Sequence, residues 1–163
     1  MTDANFIHST LRERIVEHLL VGEVLRALWC RGITDVEVLR SEFDAHGYDI
    51  VLARGPIVRH VQLKTQAGGD VGISVALAQK PSGCLIWIKI DSALNLGPYW
   101  WFGGRPGEPL PALDSFKILR RTTPNRDGIK PERPNHRKIP KAAFDMVSDI
   151  DGVLAKLFGP LPS

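Results

Sequence analysis

A sharp turn between two short apolar runs constrains the fold of this chain more than any other feature. The turn is Arg54-Gly55-Pro56, and the apolar runs cover residues 50–52 and 58–63. Runs of this length on either side of a Gly-Pro turn predict an antiparallel β-hairpin. A hairpin of two apolar strands cannot be stable alone in water, so it must belong to a larger sheet with a covered face.

Three polar side chains of this hairpin are expected to meet at one point. Asp49 opens the first strand, and Gln62 and Lys64 lie two residues apart on the second. Because side chains alternate along a strand, Gln62 and Lys64 point to the same face. A carboxylate, an amide and a lysine on one face of an apolar hairpin indicate a site. The alternative is a cross-strand ion pair between Asp49 and Lys64, a common arrangement that contributes little to stability.

The rest of the chain alternates between helical and strand patterns. The predicted helices cover residues 9–31, capped by Ser9 or Thr10 with Glu13 completing a capping box, and residues 149–157, capped by Ser148. The predicted strands cover residues 36–40, 85–90 and 99–102, and residues 71–79 are expected to run from a strand into a short helix. The aromatic residues at 99–102 are expected to pack in the core more than to form a base-stacking surface. The chain is therefore predicted to be one α/β domain over residues 1–163.

The first helix carries an isolated carboxylate. From Leu19 to Cys30 the helix is apolar almost all round, interrupted by Glu23 and Arg26. A helix of this kind is predicted to be buried, which makes Glu23 a candidate site residue. Alternatively, Glu23 and Arg26 form an ion pair three residues apart at the helix surface.

The composition excludes several classes of protein. No apolar run is long enough to cross a bilayer, and Met1 to His8 has neither the charged start nor the apolar stretch of a signal peptide. We therefore expect a cytoplasmic protein with no membrane partner. Cys30 and Cys84 lie in apolar segments and are predicted to be buried, reduced thiols.

The positive charge is concentrated in one segment. Residues 117–141 hold nine Lys and Arg side chains against two acidic ones, whereas residues 1–116 hold 11 against 13. Four prolines interrupt this segment, which is predicted to be a basic loop. It is either a phosphate-binding surface or a solvated loop. The candidate nucleic-acid-binding residues are Arg120, Arg121, Arg126, Lys130, Arg133, Arg137 and Lys138.

The order of these polar residues resembles the signature of the PD-(D/E)xK nuclease superfamily. In that signature an Asp opens one strand, an acid-x-Lys motif lies on the next, and a Glu lies on the preceding helix. The counterparts in this chain are Asp49, Gln62-Leu63-Lys64 and Glu23. Gln62 replaces the commoner Glu, which is similar to the Gln-x-Lys variant of the Mrr-type restriction endonucleases. The resemblance covers about residues 9–104 and rests on four diagnostic residues.

The resemblance implies a fold and a chemistry. The fold is a restriction-endonuclease-like three-layer core, with a central mixed β-sheet flanked by helices. The activity is metal-dependent hydrolysis of phosphodiester bonds in DNA, with RNA left open. The cofactor is Mg²⁺ or Mn²⁺, which prefer oxygen ligands. The implied ligands are Asp49, Glu23, Gln62 and the backbone carbonyl of Leu63, and Lys64 orients the attacking water. Because Gln62 carries no charge, we expect a weaker cation affinity than in the usual site.

Two other functions are compatible with the same residues. The domain could retain the nuclease fold and bind nucleic acid without cleaving it, or it could be an unrelated α/β protein that binds a small ligand or a partner. For a nuclease that cuts duplex DNA, a homodimer would supply one active site for each strand.

Overall fold

The computed structural model of this chain describes residues 8–43 and 46–163. The prediction made for the amino-terminal segment therefore lies, except for His8, outside the described residues. In the described ranges, no helix combines the length and the apolar character that crossing a membrane requires.

The described chain begins and ends with a helix, and strands make up most of the structure between them. The helices are α1 (Ser9–Trp29), α2 (Val75–Ala78) and α3 (Ile150–Phe158). The strands are β1 (Val36–Arg40), β2 (Ile50–Arg54), β3 (Ile57–Lys64), β4 (Val71–Ser74), β5 (Gly83–Ile90), β6 (Leu96–Gly103), β7 (Lys117–Arg120), β8 (Glu132–Ile139) and β9 (Asp145–Val147). A short 3₁₀ helix covers Lys141–Ala143.

Six of these strands form a mixed sheet, which we call the large sheet. Its order is β1-β2-β3-β5-β6-β9, and β3 and β5 are parallel while the other neighbours are antiparallel. The predicted hairpin is confirmed as β2 and β3, with Ile50 opposite Val61. Its turn contains Gly55 with a φ of 56°, a left-handed conformation that glycine adopts without strain. The chain is therefore of the α/β class with a mixed central sheet, as predicted.

Helices α1 and α3 cover one face of the large sheet. Leu20 and Val24 of α1 and Leu154 of α3 are fully buried against strand residues such as Val61 and Ile88. One charged side chain lies in this layer: Arg59 of β3 is fully buried and donates to the backbone carbonyls of Gly104, Lys156 and Leu157 at 2.8–2.9 Å. It thereby satisfies carbonyls at the last turn of α3, which have no partner within the helix.

The opposite face of the large sheet is covered by three strands, which we call the small sheet, in the order β4-β8-β7. Val71 and Ile73 of β4 and Ile139 of β8 pack with Leu85 and Trp87 of the large sheet. Helix α2 is four residues long and adds Leu77 to this core. The second covering layer is thus mainly β-structure, and the helical flank implied by the resemblance is reduced to one turn of helix.

The basic segment 117–141 is not the predicted loop. Strands β7 and β8 pair in antiparallel fashion across it, and β8 also pairs with β4. Sequence alone did not indicate this because β8 has almost no apolar alternation and contains Pro134. Its pairing with the buried strand β4 stabilises it instead.

Both helix starts differ from the prediction by one position. His8 is the N-cap of α1 and makes no side-chain cap bond, so the capping role proposed for Ser9 or Thr10 is not observed. At α3, Asp149 rather than Ser148 caps the helix, since its side chain accepts from the Gly152 N–H at 2.9 Å.

Burial differs from the prediction at the end of α1. Cys84 is buried and Cys30 is exposed, and both are free thiols. Leu25 and Trp29 are 37% and 72% exposed, because α1 packs against the sheet with one face and α3 covers only part of the rest. In β6, by contrast, Tyr99, Trp101 and Phe102 are buried, as a strand covered on both faces requires.

Candidate functional site

Asp49, Gln62, Leu63 and Lys64 line one cavity of about 480 Å³ at an end of the large sheet. Strand β2 begins directly after Asp49 and β3 ends at Lys64, so antiparallel pairing brings these positions together. The Asp49 N–H donates to the Val61 carbonyl at 2.9 Å, and the Leu63 N–H donates to Asp49 Oδ2 at 2.7 Å. The structure thus brings the four strand residues singled out in the sequence into one site.

The amide of Gln62 has an unsatisfied acceptor. Its Oε1 atom is buried and has no hydrogen-bond partner in the described structure. A buried polar group without a partner costs about 1–3 kcal/mol, so such groups are rare unless a ligand meets them. Gln62 therefore has a buried amide oxygen without a described partner, and the residue lines the cavity that Asp49 and Lys64 also line.

Glu23 does not lie in this cavity. It accepts from the Tyr99 hydroxyl at 3.4 Å, on the part of α1 that packs against β6. Burial, together with the charge of Glu23, raises the pKa of Tyr99 above its ordinary value. The alternative pairing is not observed either, because no Glu23–Arg26 ion pair exists among the described residues. The structure therefore separates Glu23 from the other three predicted catalytic residues.

The beginning of α1 forms the helical wall of the cavity. The residues of α1 that line the cavity lie between positions 10 and 17: Thr10, Arg12, Glu13, Arg14, Val16 and Glu17. A short connection, residues 30–35, joins α1 to β1, so the helix runs back along the strand that follows it. An ion pair between Glu17 and Arg40, the last residue of β1, marks this arrangement. Glu13 precedes Glu23 by about 15 Å along the helix.

The two carboxylates of this wall differ in availability. Glu17 is 5% exposed, and its two oxygens are held by Arg14 at 3.0 Å and by Arg40. Glu13 is exposed and forms no ion pair with a described residue. Glu13 is therefore the helix carboxylate open to the cavity. Sequence analysis missed it by treating it as a capping residue, although the short connection after α1 already indicated which helix end lies near Asp49.

The acidic groups available for a metal ion are few. Among residues 8–43 and 46–163, no three His, Cys, Asp or Glu side chains come together as a metal-ion site. The oxygen donors that the cavity offers are the carboxylates of Asp49 and Glu13 and the vacant amide oxygen of Gln62. Two carboxylates and an amide suit Mg²⁺ or Mn²⁺, which keep several water ligands, better than a softer metal ion.

A second cavity, of about 800 Å³, adjoins the first, and we call it the basic cleft. The two cavities share Gln62, Lys64 and Gln66. Strands β7 and β8 and the loop between them form its outer wall, which includes Arg120, Arg121, Arg133 and His136. The remaining candidate nucleic-acid-binding residues lie outside this lining: Arg126, Lys130, Arg137 and Lys138.

Ion pairs neutralise part of this basic surface. Arg120 pairs with Glu132 and Lys138 pairs with Asp70, each at 3.0 Å. Arg137 donates to the Pro134 carbonyl at 2.7 Å. Arg121 and Arg126 form no ion pair with a described residue. Uncompensated charges of this segment therefore lie near the tip of the β7–β8 hairpin, at Arg121 and Arg126, and also on β8, at Arg133 and Arg137.

Comparisons of the chain with protein-family models, with curated proteins and with solved structures found no significant match.

Proposed function

We propose that this protein is a metal-dependent nuclease that hydrolyses phosphodiester bonds, most simply in DNA. The observation that carries the proposal is the single cavity that Asp49, Gln62 and Lys64 line together with the helix carboxylate Glu13. The order of elements gives further support. A helix, a three-strand meander, a crossover and a strand parallel to the third are what the resemblance to PD-(D/E)xK nucleases implies.

Each residue of the site has a role in this proposal. Asp49, Glu13 and Gln62 would hold Mg²⁺ or Mn²⁺, with the Leu63 carbonyl as a further ligand. The cation would lower the pKa of its bound water and offset charge on the phosphate. Lys64 has no ion pair or hydrogen bond among the described residues, so its ammonium is available to the attacking water or to a phosphate oxygen. The Leu63 N–H orients the Asp49 carboxylate at 2.7 Å.

The basic cleft would hold the nucleic acid beside this site. Arg120, Arg121 and Arg133 line it, and phosphates are the natural partners of arginine side chains. Arg126, at the tip of the β7–β8 hairpin, would hold a phosphate beyond the cleft, and the other charges outside the lining would act over a longer range by steering the substrate. A homodimer would allow both strands of a duplex to be cut, and a cytoplasmic location remains part of the proposal.

Cleavage assays test the proposal directly. We expect the purified protein to cut plasmid or single-stranded DNA with Mn²⁺ or Mg²⁺ and to be inactive in EDTA. Lys64→Ala and Asp49→Asn should each lower the rate by about 100-fold or more, as loss of transition-state stabilisation does. Lys89→Ala, an exposed substitution on β5, is the matched control. Two folded variants that cut as fast as the parent would show that the hairpin is structural.

Thermal unfolding identifies the helix ligand. A cation that binds only the folded state raises the melting temperature by mass action. We expect Mn²⁺ to do so in the parent, more strongly in Gln62→Glu, and less in Glu13→Gln. Glu23→Gln is the matched control, since Glu23 contacts Tyr99 instead of the cavity. If Glu23→Gln weakens the effect and Glu13→Gln does not, the ligand is the residue predicted from sequence.

The second candidate function is a nucleic-acid-binding module that retains this fold without cleavage. The scarcity of acidic ligands among the described residues favours it. A melting temperature unaffected by millimolar Mn²⁺ in both the parent and Gln62→Glu, combined with DNA binding that EDTA does not change, would establish this alternative.

A further inference from the structure

Two positively charged side chains of the cavity at the end of the large sheet form no ion pair with a described residue, although the carboxylates of Glu13 and Asp49 line the same cavity. Lys64 is one of them, at the end of β3. Arg12 is the other, on the first turns of α1, and its Nε atom is buried with no hydrogen-bond partner in the described structure. The third cation of the cavity, Arg14, is paired with Glu17 at 3.0 Å. One cation from the strand and one from the helix are therefore left for a ligand.

An unpartnered guanidinium in a polar cavity points to an anionic ligand. Leaving its buried N–H without an acceptor is costly, more so for a charged group. A phosphate can accept from Nε and a terminal nitrogen of arginine together. The surroundings favour an anion as well. Thr10 lines the same cavity, and the first turn of α1 contains no acidic residue.

We propose that Arg12 binds the phosphate next to the one that is cleaved. This inference rests on the proposed function, in which Lys64 serves the scissile phosphate. It also specifies the substrate class: Lys64 belongs to β3 and Arg12 to α1, and we assign each of them its own phosphate. The substrate is then a polynucleotide chain, and a single isolated phosphodiester is bound only at the Lys64 end of the cavity.

Two substrates distinguish the binding of a neighbouring phosphate from a general contribution of Arg12 to catalysis. Bis(p-nitrophenyl) phosphate offers one phosphodiester, and an oligonucleotide offers several in a row. Arg12→Ala should lower kcat/KM on the oligonucleotide by about 10- to 100-fold, the value of a charged hydrogen bond, and leave the rate on bis(p-nitrophenyl) phosphate unchanged. Arg12→Lys should recover part of the loss by keeping the charge. Arg26→Ala, exposed on the same helix and outside the cavity, should match the parent on both substrates.

A neutral linkage locates the contact. A methylphosphonate replaces one charged phosphate by a neutral group, and it is placed in turn at each position beside the cut. At one of these positions the replacement should slow the parent as much as Arg12→Ala slows cleavage of the unmodified oligonucleotide. In Arg12→Ala the same methylphosphonate should cause no further loss, because both changes remove one contact. If the parent does not cleave bis(p-nitrophenyl) phosphate, the methylphosphonate comparison alone tests the role of Arg12.

The outcomes separate the two proposals. Three results would overturn the role of Arg12: Arg12→Ala slows both substrates equally, it slows neither, or its effect and that of the methylphosphonate are fully additive. The nuclease proposal would still stand in each case, provided that the parent cleaves. A parent that cleaves neither substrate with any divalent cation would overturn the nuclease and the inference together.

Discussion

The two sheets of this protein are stabilised in different ways. The large sheet has apolar layers on both faces, and in β5 the six residues 83–88 are all buried. The small sheet has one apolar face. Along β7 no residue is buried, and in β8 the buried residue is Ile139. The large sheet thus depends on the burial of apolar surface, and the small sheet on strand pairing and its contact with the larger one.

This difference explains where charge can accumulate. Arginine and lysine side chains lose favourable hydration when they are buried, so a dense basic surface requires strands that leave one face in water. The small sheet provides that face beside the cavity that holds Asp49 and Lys64. The large sheet thus carries the strand residues of the candidate site, and the small sheet carries the basic surface beside it.

The largest effect should come from a cavity in the large sheet. Ile88→Ala removes a fully buried side chain of β5 and should lower the free energy of unfolding by about 2–5 kcal/mol. Ile118→Ala, in the partly exposed strand β7, is the matched control and should cost under about 1 kcal/mol. Urea denaturation measures both. Equal losses would show that the small sheet also contributes a core of its own.

A smaller effect, on binding, is expected at the hairpin tip. Replacing Arg121 and Arg126 by alanine should weaken binding to all DNA sequences alike and reduce the slope of log affinity against log salt by about 2, one for each lost phosphate contact. The unfolding free energy should stay within about 0.5 kcal/mol. Fluorescence anisotropy at several salt concentrations measures the slope.

The control removes the same number of charges elsewhere. Arg26 and Lys89 are exposed and lie outside both cavities, so their replacement by alanine should leave the slope unchanged. Identical slopes for the two double variants would mean that the hairpin is a solvated surface, and the binding face would have to be sought elsewhere.

The smallest effect concerns pH and the large sheet. Burial, followed by the charges of Lys80 and His46, lowers the pKa of His60 from its ordinary 6.5. Because the pKa is lower in the folded state, His60 takes up its proton in the unfolded chain first as the pH falls. The stabilisation from neutral His60 is therefore complete well above pH 6.5 and is lost as the pH falls below it. We expect the unfolding free energy to fall between pH 7.5 and 5.5.

His60→Gln should flatten that decline, and His18→Gln, on the exposed face of α1, should leave it unchanged. Denaturation curves at a series of pH values test this. An unchanged decline in His60→Gln would place the pH-sensitive group outside the large sheet.

Elements whose pattern is local were predictable from the sequence. The turn at Gly55 and its apolar neighbours were enough to predict β2 and β3, and strand alternation then placed Gln62 and Lys64 on one face. The change from strand to helix within residues 71–79 was likewise confirmed as β4 and α2. In each case the deciding interactions lie within a few residues along the chain.

Features that depend on distant partners were decided only by the tertiary structure. Strand β8 has little apolar pattern of its own and exists because, besides pairing with its neighbour β7, it pairs with β4, which lies far from it in sequence. Cys30 is exposed because it lies on the side of the α1 terminus that the described elements leave open, although its sequence neighbours are apolar. The helix carboxylate of the site is the clearest example. The sequence by itself determined that Asp49, Gln62 and Lys64 converge, because neighbouring strands place them, whereas the direction in which α1 packs on the sheet decided that Glu13, and not Glu23, lines the same cavity.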